Sequence, residues 1–192
     1  SIKGHDSAVI TYSFVSTGFP KGVVISHKNL IDGARVVNKY LDIKSDDVLS
    51  GLLSFSFDYG LNQIFCSFYA RATFAIYDFF TPSDFFAHLI NDKVTILAAM
   101  PVHFGLMFDE DPHKLPNPNQ LEKLRIITSS GANVTNSMLS KIEKYFSRAL
   151  FYSMSGHTEA FRSAYLEPAQ LKIRPHSIGK AILDVELYII NE

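Results

Sequence analysis

Short apolar runs alternate with amphipathic helical patterns along this 192-residue chain, and this alternation constrains the fold most strongly. The run Val94–Ala99 is almost uniformly apolar, which is typical of a strand buried on both faces of a sheet. Ser26, Thr81 or Ser83, and Thr135 precede helical patterns and can cap them. Strands that alternate with helices predict an α/β fold with a largely parallel sheet. The predicted strands are Val9–Tyr12, Val23–Ile25, Val48–Leu53, Thr73–Tyr77, Val94–Ala99, Arg125–Thr128 and Leu150–Tyr152; the predicted helices span about His27–Tyr40, Leu61–Arg71, Pro82–Ile90, Pro101–Phe108 and Thr135–Phe146.

The segments between these elements are predicted as loops. Asp109–Gln120 holds three prolines and little that is apolar, so we expect an exposed loop. Ser153–Glu159 is predicted as a loop, and the alternating Val185–Ile189 as a terminal strand. In parallel sheets, ligands bind beyond the carboxyl ends of the strands, and the polar motifs of this chain follow strand-like runs.

Composition excludes several function classes. The net charge is −1, so no basic field favours nucleic acid or an anionic membrane. Cys66 is the single cysteine, which excludes an internal disulfide and a cysteine-based zinc site. The histidines show no pairing at metal-ligand spacing, so we predict no zinc. The longest apolar stretch, Thr95–Phe108, is interrupted by Pro101 and His103 and is too short to span a membrane; we expect a cytoplasmic protein.

The stretch Ser16–Gly22 combines two hydroxyls, two glycines, a proline and a lysine. Hydroxyls and backbone N–H groups offer neutral donors, glycines permit close backbone approach, and a lysine supplies a point charge, as a phosphate-binding loop requires. Glycine and proline are equally ordinary in a turn between strands. The spacing excludes the P-loop of NTPases, because no Lys-Ser/Thr pair follows the second glycine.

Residues 12–23 resemble the phosphate loop of the adenylate-forming superfamily, which includes acyl-CoA synthetases, luciferases and the adenylation domains of peptide synthetases. Phe14 and Val15 depart from the family's Ser and Gly. If that glycine position needs a positive φ, valine at position 15 adds about 1–3 kcal/mol of backbone strain. The resemblance implies that Lys21 is a catalytic cation and that ATP contacts Ser13, Ser16, Thr17, Gly18 and Gly22.

Two further motifs follow in the family's order. Gly156–Glu159 resembles the Tyr-Gly-x-Thr-Glu motif, which implies that Thr158 contacts phosphate and Glu159 binds Mg²⁺; taken alone, the tetrapeptide is more typical of a helix start. The family's Tyr, which lies against adenine, is Ser155 here. The turn Gly131-Ala132 resembles the adenine-edge turn, although alone it is an ordinary turn. We therefore place Gly131, Ala132, Ser155 and Gly156 at the nucleotide.

The substrate side is predicted from Phe57-Asp58 and its neighbours. In amino-acid-activating members an Asp after Phe pairs with the substrate ammonium, and the alternative for Asp58 is a helix N-cap. His103 aligns with an acyl-pocket stretch, and we prefer to interpret it as a satisfied core histidine. We also assign His157 to the substrate side.

Two further stretches resemble parts of the family. Ser177–Lys180 resembles a structural turn, and residues 54–63 are similar to the acyl-CoA ligases of exosortase gene clusters.

The resemblance covers residues 1–192, and from it we expect a single domain, the central part of the family's large N-terminal domain, without the C-terminal domain that carries the catalytic lysine. It implies an acyl-CoA ligase that uses ATP, Mg²⁺ and coenzyme A or a carrier-protein thiol to activate a carboxylic acid. We expect the isolated chain to be inactive. The alternatives are a degenerate scaffold, favoured by Phe14, Val15 and Ser155, and an amino-acid adenylation domain, favoured by Asp58. Apolar sheet surface left uncovered would favour either a homodimer or a non-standard sheet edge.

Overall fold

The structure, a computed structural model, describes residues 1–13, 19–78, 80–109, 115–160 and 162–190. Within these ranges a short 3-10 helix spans Pro118–Leu121. The strands are β1 (Ser7–Ser13), β2 (Lys21–Ser26), β3 (Val48–Gly51), β4 (Thr73–Ile76), β5 (Ile96–Ala99), β6 (Ile126–Ser129), β7 (Leu150–Ser155), β8 (Ala164–Leu166) and β9 (Lys180–Ala181). The helices are α1 (His27–Leu41), α2 (Asp58–Ala70), α3 (Pro82–Asn91), α4 (Pro101–Phe108), α5 (Asn136–Tyr145) and α6 (Pro168–Leu171).

Seven strands form one mixed sheet in the order β4-β3-β5-β6-β7-β8-β9. The pairs from β4 to β7 are parallel, and β8 and β9 extend the sheet in antiparallel fashion. Helices connect the parallel strands, as parallel pairing requires. The predicted α/β class with a largely parallel sheet is therefore confirmed.

The first two strands form a separate antiparallel hairpin. Ser13 pairs with Lys21 at the end of the hairpin where the chain passes from β1 to β2, so the predicted phosphate loop, residues 12–23, lies at that end. Phe14, Val15, Ser16, Thr17 and Gly18, on which much of the loop prediction rests, lie outside the described residues.

Three helices begin at the predicted caps. Ser26 Oγ accepts the Asn29 N–H at 3.3 Å, and Thr81 and Thr135 cap α3 and α5 in the same way. Helix α2 begins three residues earlier than predicted, at Asp58. An aspartate in the first turn of a helix is stabilised by the helix dipole, which favours this earlier start.

The core lies on both faces of the sheet. Neighbouring residues of β5 point to opposite faces: Ile96 packs with α1 and α2, whereas Leu97 packs with α3, α4 and α5. All four residues of β5 are buried, as its apolar run predicted. Cys66 is fully buried in α2, and burial raises the pKa of its thiol to about 12, so it is a packing residue.

Three loop and strand predictions were wrong in part. Residues 153–155 belong to β7, because they pair with β8, which the sequence pattern did not reveal. Leu121 is buried, and this anchors the 3-10 helix at the end of the predicted proline-rich loop. The predicted strand Val185–Ile189 does not form, and Ile189 is fully exposed. In the described part of the chain these residues pair with no neighbouring strand, and alternation alone does not make a strand without one.

Candidate functional site

Two adjoining cavities open at the carboxyl ends of the parallel strands, the edge that the sequence analysis predicted. Met100 follows β5, the turn at Gly131 follows β6, and Gly156 follows β7. Cavity A, of about 370 Å³, is lined by residues 130–134, 139, 151, 153–157, 171 and 175–178. Cavity B, of about 340 Å³, is lined by residues 57–59, 100, 130, 131, 156–159 and 162.

The two cavities share one wall. Ser130, Gly131, Gly156 and His157 line both of them. Gly131 has φ +94°, and a Cβ there would lie 3.2 Å from Met100 Cε. A side chain at this position would be strained and would press on the far end of Met100, so glycine suits this position in the shared wall.

Cavity A holds the predicted adenine-side residues. Ala132, Ser155 and Gly156 line it together with the shared turn. Ser155 has no ring, so the aromatic surface that the resemblance implies at this position is replaced by a hydroxyl. His176 also lines the cavity and adds an imidazole that the sequence analysis did not single out.

The predicted structural turn at Ser177–Lys180 borders cavity A. Gly179 has φ +87°, and its N–H donates to Ser177 Oγ at 3.0 Å. A Cβ on Gly179 would lie 2.0 Å from the Tyr165 carbonyl oxygen, so no other residue fits this backbone. The turn thus has the expected structural character, and Ser177 and Ile178 additionally line the cavity.

Cavity B brings together the predicted substrate and phosphate residues. Phe57 and Asp58 come from the start of α2, and His157, Thr158 and Glu159 from the segment after β7. These two segments are far apart in the sequence, and the order of the parallel strands brings them to one edge.

Asp58 does not cap α2. The N-cap position belongs to Phe57, whose side chain makes no capping bond, so the N-cap alternative for Asp58 is wrong. The Asp58 carboxylate instead accepts a hydrogen bond from Arg162 Nη1 at 3.3 Å. The Arg162 guanidinium carbon lies 4.3 Å from the centroid of the Tyr59 ring, within the range of a cation–π contact.

His103 lies outside the linings of cavities A and B. Its Nδ1 accepts the Met100 N–H at 3.0 Å, at the start of α4. Burial lowers the pKa of this imidazole, which favours the neutral form that the accepted bond requires. This contact supports the preferred interpretation of His103 as a structural histidine.

The described residues of the predicted phosphate loop lie elsewhere. They include Ser13, Lys21 and Gly22 in the β1–β2 hairpin, and Lys21 is exposed. None of the three lines cavity A or B. The structure therefore does not bring the predicted catalytic lysine to the wall that Thr158 and Glu159 form.

Sequence reasoning missed Arg162, which is buried in the wall of cavity B. Its partner Asp58 is 104 residues away, and no local pattern indicates such a contact. The one feature of the sequence that could have indicated a role for Arg162 is its position three residues after Glu159.

The chemistry of Glu159 fits a magnesium ion. Its carboxylate is exposed and lines cavity B beside the Thr158 hydroxyl. Across the described ranges, no three His, Cys, Asp or Glu side chains cluster as a closed metal site. Mg²⁺ commonly uses one or two protein carboxylates together with water and phosphate oxygens, and a single glutamate at the cavity wall is compatible with that coordination.

Comparison with protein families gives one decisive match. The model of the AMP-binding enzyme family matches residues 1–192. The chain belongs to the AMP-binding enzyme family. None of the helices in the described part of the chain is long and apolar enough to cross a bilayer.

Curated relatives of this AMP-binding chain include both peptide synthetases and CoA ligases. It is 30% identical over 187 residues to the delta-poly-L-ornithine synthetase of Acinetobacter baumannii, covering 96% of this chain and 13% of the relative. It is 29% identical over 202 residues to the 4-coumarate–CoA ligase of Pinus taeda, covering 100% of this chain and 37% of the relative. The AMP-binding chain thus spans less than half the length of either.

Solved structures show the same fold. The o-succinylbenzoate CoA synthetase of Bacillus subtilis, in complex with its acyl-adenylate intermediate, superposes with a TM-score of 0.86 at 22% identity, covering 100% of this chain and 38% of that chain. A complex of VinN with L-aspartate superposes with a TM-score of 0.83 at 23% identity, covering 95% and 46% respectively. The AMP-binding chain therefore has the fold of the N-terminal domain of adenylate-forming enzymes.

Proposed function

We propose that this chain is the nucleotide- and acid-binding core of an adenylate-forming ligase that makes a thioester from a carboxylic acid. The observation that carries the proposal is the shared wall of the two cavities. Gly131 and Gly156 belong to two motifs that are distant in sequence, and both line cavity A as well as cavity B. A nucleotide in cavity A and an acid in cavity B would meet at that wall.

The residues that line cavity B next to the shared wall have suitable chemistry for a phosphate reaction. The Thr158 hydroxyl can donate to a phosphate oxygen, and Glu159 can hold Mg²⁺, which supplies positive charge to the phosphates when bound. Lys21 serves as the second cation in this proposal. Because Lys21 lies outside the linings of both cavities, the hairpin must bring it closer when ATP binds.

The proposed reaction has two steps. A substrate carboxylate oxygen attacks the α-phosphorus of ATP, the bond to the bridging oxygen breaks, and pyrophosphate leaves with that electron pair. The sulfur of a coenzyme A or carrier-protein thiol then attacks the acyl carbon, AMP leaves, and the thiol proton goes to solvent. A carboxylate is already a nucleophile, so the main contributions of the protein are positioning and charge stabilisation.

A second candidate function is that of a non-catalytic relative acting as a scaffold. Ser155 favours it, because cavity A lacks an aromatic ring at this position. The departures Phe14 and Val15 favour it as well. A cytoplasmic location and a homodimer stay predictions under either function.

Thermal unfolding with and without Mg-ATP separates the two functions. A ligand at about 100 times its Kd adds about 2.7 kcal/mol to the free energy of unfolding. For a domain of this size the midpoint then rises by about 2–4 °C per kcal/mol. We expect such a rise for the parent chain and a reduced rise for Lys21→Ala, since the lysine contacts phosphate in this proposal.

Lys123→Ala is the matched control for that measurement. Lys123 is also an exposed lysine, and it lies outside both cavities. The control should keep the full rise. If millimolar Mg-ATP leaves the midpoint of the parent chain unchanged, the scaffold function replaces the ligase.

A further inference from the structure

We infer that Arg162 makes cavity B selective for carboxylic acids that carry no ammonium group near the carboxylate. The inference rests on the proposed function and names its substrate class. It depends on the contact between Arg162 and Asp58 in the cavity wall.

Asp58 is placed where it could select a cationic ligand. It lines cavity B, and its side chain keeps 18% of its accessible surface. A carboxylate that is mostly withdrawn from water and faces a cavity favours a positively charged ligand group. Without a counter-ion from the protein, Asp58 would therefore attract the ammonium of an amino acid.

Arg162 already supplies that positive charge. Its side chain is only 3% exposed, and its Nη1 lies 3.3 Å from Asp58 Oδ2. A guanidinium so deeply buried requires an anion, because an unpaired buried charge is strongly unfavourable. Asp58 is thus the counter-ion of Arg162, and the net charge of the pair is zero.

Packing holds the guanidinium in place. It lies 4.3 Å from the centroid of the Tyr59 ring, and the Tyr59 hydroxyl lies 2.7 Å from Thr128 Oγ1 on β6. Tyr59 and Thr128 are both buried. Because the ring is fixed to the sheet, displacing Arg162 from Asp58 would also disturb this packing.

The consequence for a ligand follows from charge. An ammonium that approaches Asp58 also approaches Arg162, so the attraction of the first is offset by repulsion from the second. Glu159 is the other carboxylate in the wall, and it is exposed and screened by solvent. An acid with an uncharged chain meets no such repulsion.

Two matched probes test the inference. L-phenylalanyl adenosine sulfamate and 3-phenylpropanoyl adenosine sulfamate differ only in the α-ammonium, and their Kd values for the chain are measured by calorimetry. We expect the parent chain to bind the 3-phenylpropanoyl probe about tenfold more tightly or better.

The preference is the ratio of the Kd of the L-phenylalanyl probe to the Kd of the 3-phenylpropanoyl probe. Variants of Arg162 and Asp58 should change this ratio in opposite directions. Arg162→Met uncovers the Asp58 carboxylate, so the preference should fall or reverse; Asp58→Asn removes the attraction and leaves Arg162, so the preference should grow. A merely structural role would weaken both probes equally. Asp58→Asn is the more conservative change and carries the test if Arg162→Met does not fold, and Lys123→Met should leave the ratio unchanged.

The outcomes distinguish this inference from the proposed function. Binding of Mg-ATP with equal or tighter binding of the L-phenylalanyl probe to the parent chain overturns the inference alone. If Asp58→Asn lowers the preference for the 3-phenylpropanoyl probe, the inference is also overturned. If neither Mg-ATP nor either probe binds, the proposed function fails and the inference fails with it.

Discussion

At the scale of single residues, Gly179 holds the turn beside cavity A in a conformation that other residues rarely adopt. Its φ is +87°, and a Cβ would lie 2.0 Å from the Tyr165 carbonyl oxygen in β8. The backbone of a strand cannot move aside as a flexible side chain can. Gly105, within α4, provides a contrast, because a Cβ there would lie at an ordinary 3.9 Å from Met138 Cε.

Replacing these two glycines by alanine should have opposite effects. Gly179→Ala should lower the free energy of unfolding by at least about 1–3 kcal/mol, from the positive φ alone. Gly105→Ala should leave it unchanged or raise it by up to about 1 kcal/mol, because alanine is the better helix former. Urea denaturation measures both, and equal stabilities of the two variants would contradict this interpretation.

Single residues also show where sequence reasoning ends. Gly131, Thr158 and Glu159 could be chosen from the sequence, because their motifs are contiguous. Arg162 could not, because its function depends on Asp58, which reaches it only through the sheet order. Contacts between segments distant in sequence carry no local pattern.

At the scale of elements, Asp47 joins the amino ends of three strands, opposite the cavities. Its Oδ1 accepts from Arg125 Nε at 2.8 Å and from Thr95 Oγ1 at 2.7 Å. Its Oδ2 accepts the Lys44 N–H at 2.8 Å. These contacts connect the residues that lead into β3, β5 and β6.

Asp47→Asn should lower the free energy of unfolding by about 1.5–3 kcal/mol at neutral pH, since it removes charge-assisted hydrogen bonds to a buried carboxylate. Burial raises the pKa of Asp47, but the hydrogen bonds from Arg125, Lys44 and Thr95 outweigh it and hold the pKa below 3.8. The stability that the Asp47 carboxylate contributes is therefore complete well above pH 3.8. It is lost as the pH falls through the lowered pKa of Asp47 in the folded protein.

The neighbouring Asp46 is the control for this prediction. It is exposed, so Asp46→Asn should change stability by at most about 0.5 kcal/mol. Urea titrations from pH 7 to pH 3 should show the difference between the parent chain and Asp47→Asn shrinking in acid. A difference that stays constant over this range would contradict the assigned role of Asp47.

Elements were predicted well wherever their pattern was local. The caps at Ser26 and Thr135 and the buried run of β5 were sufficient to place α1, α5 and the centre of the sheet. The strand expected at Val185–Ile189 failed, because alternation describes one strand and says nothing of a partner. The last residues of β7 were predicted as a loop because their own sequence shows no strand pattern. Their pairing with β8 makes them part of the strand.

At the scale of the whole molecule, the sheet order explains why separate motifs form one site. Parallel strands bring their carboxyl ends to one edge, so the segments after β5, β6 and β7 meet there. The fold class and this edge were predictable from the alternation of elements. The shape of the two cavities was not, because it depends on the Gly131 turn and on residues 175–178 beyond β8.

Binding of an acyl-adenosine sulfamate to this chain tests most directly whether the two cavities form a nucleotide and acid site. Calorimetry with 3-phenylpropanoyl adenosine sulfamate and Mg²⁺ should show one site per chain. Ala132→Trp, which places an indole in the lining of cavity A, should abolish binding, whereas Ala169→Trp, at an exposed position of α6, should not. Thermal scans of the same samples confirm folding. Unchanged binding by a folded Ala132→Trp variant, or no binding by the parent chain, would contradict the proposed site.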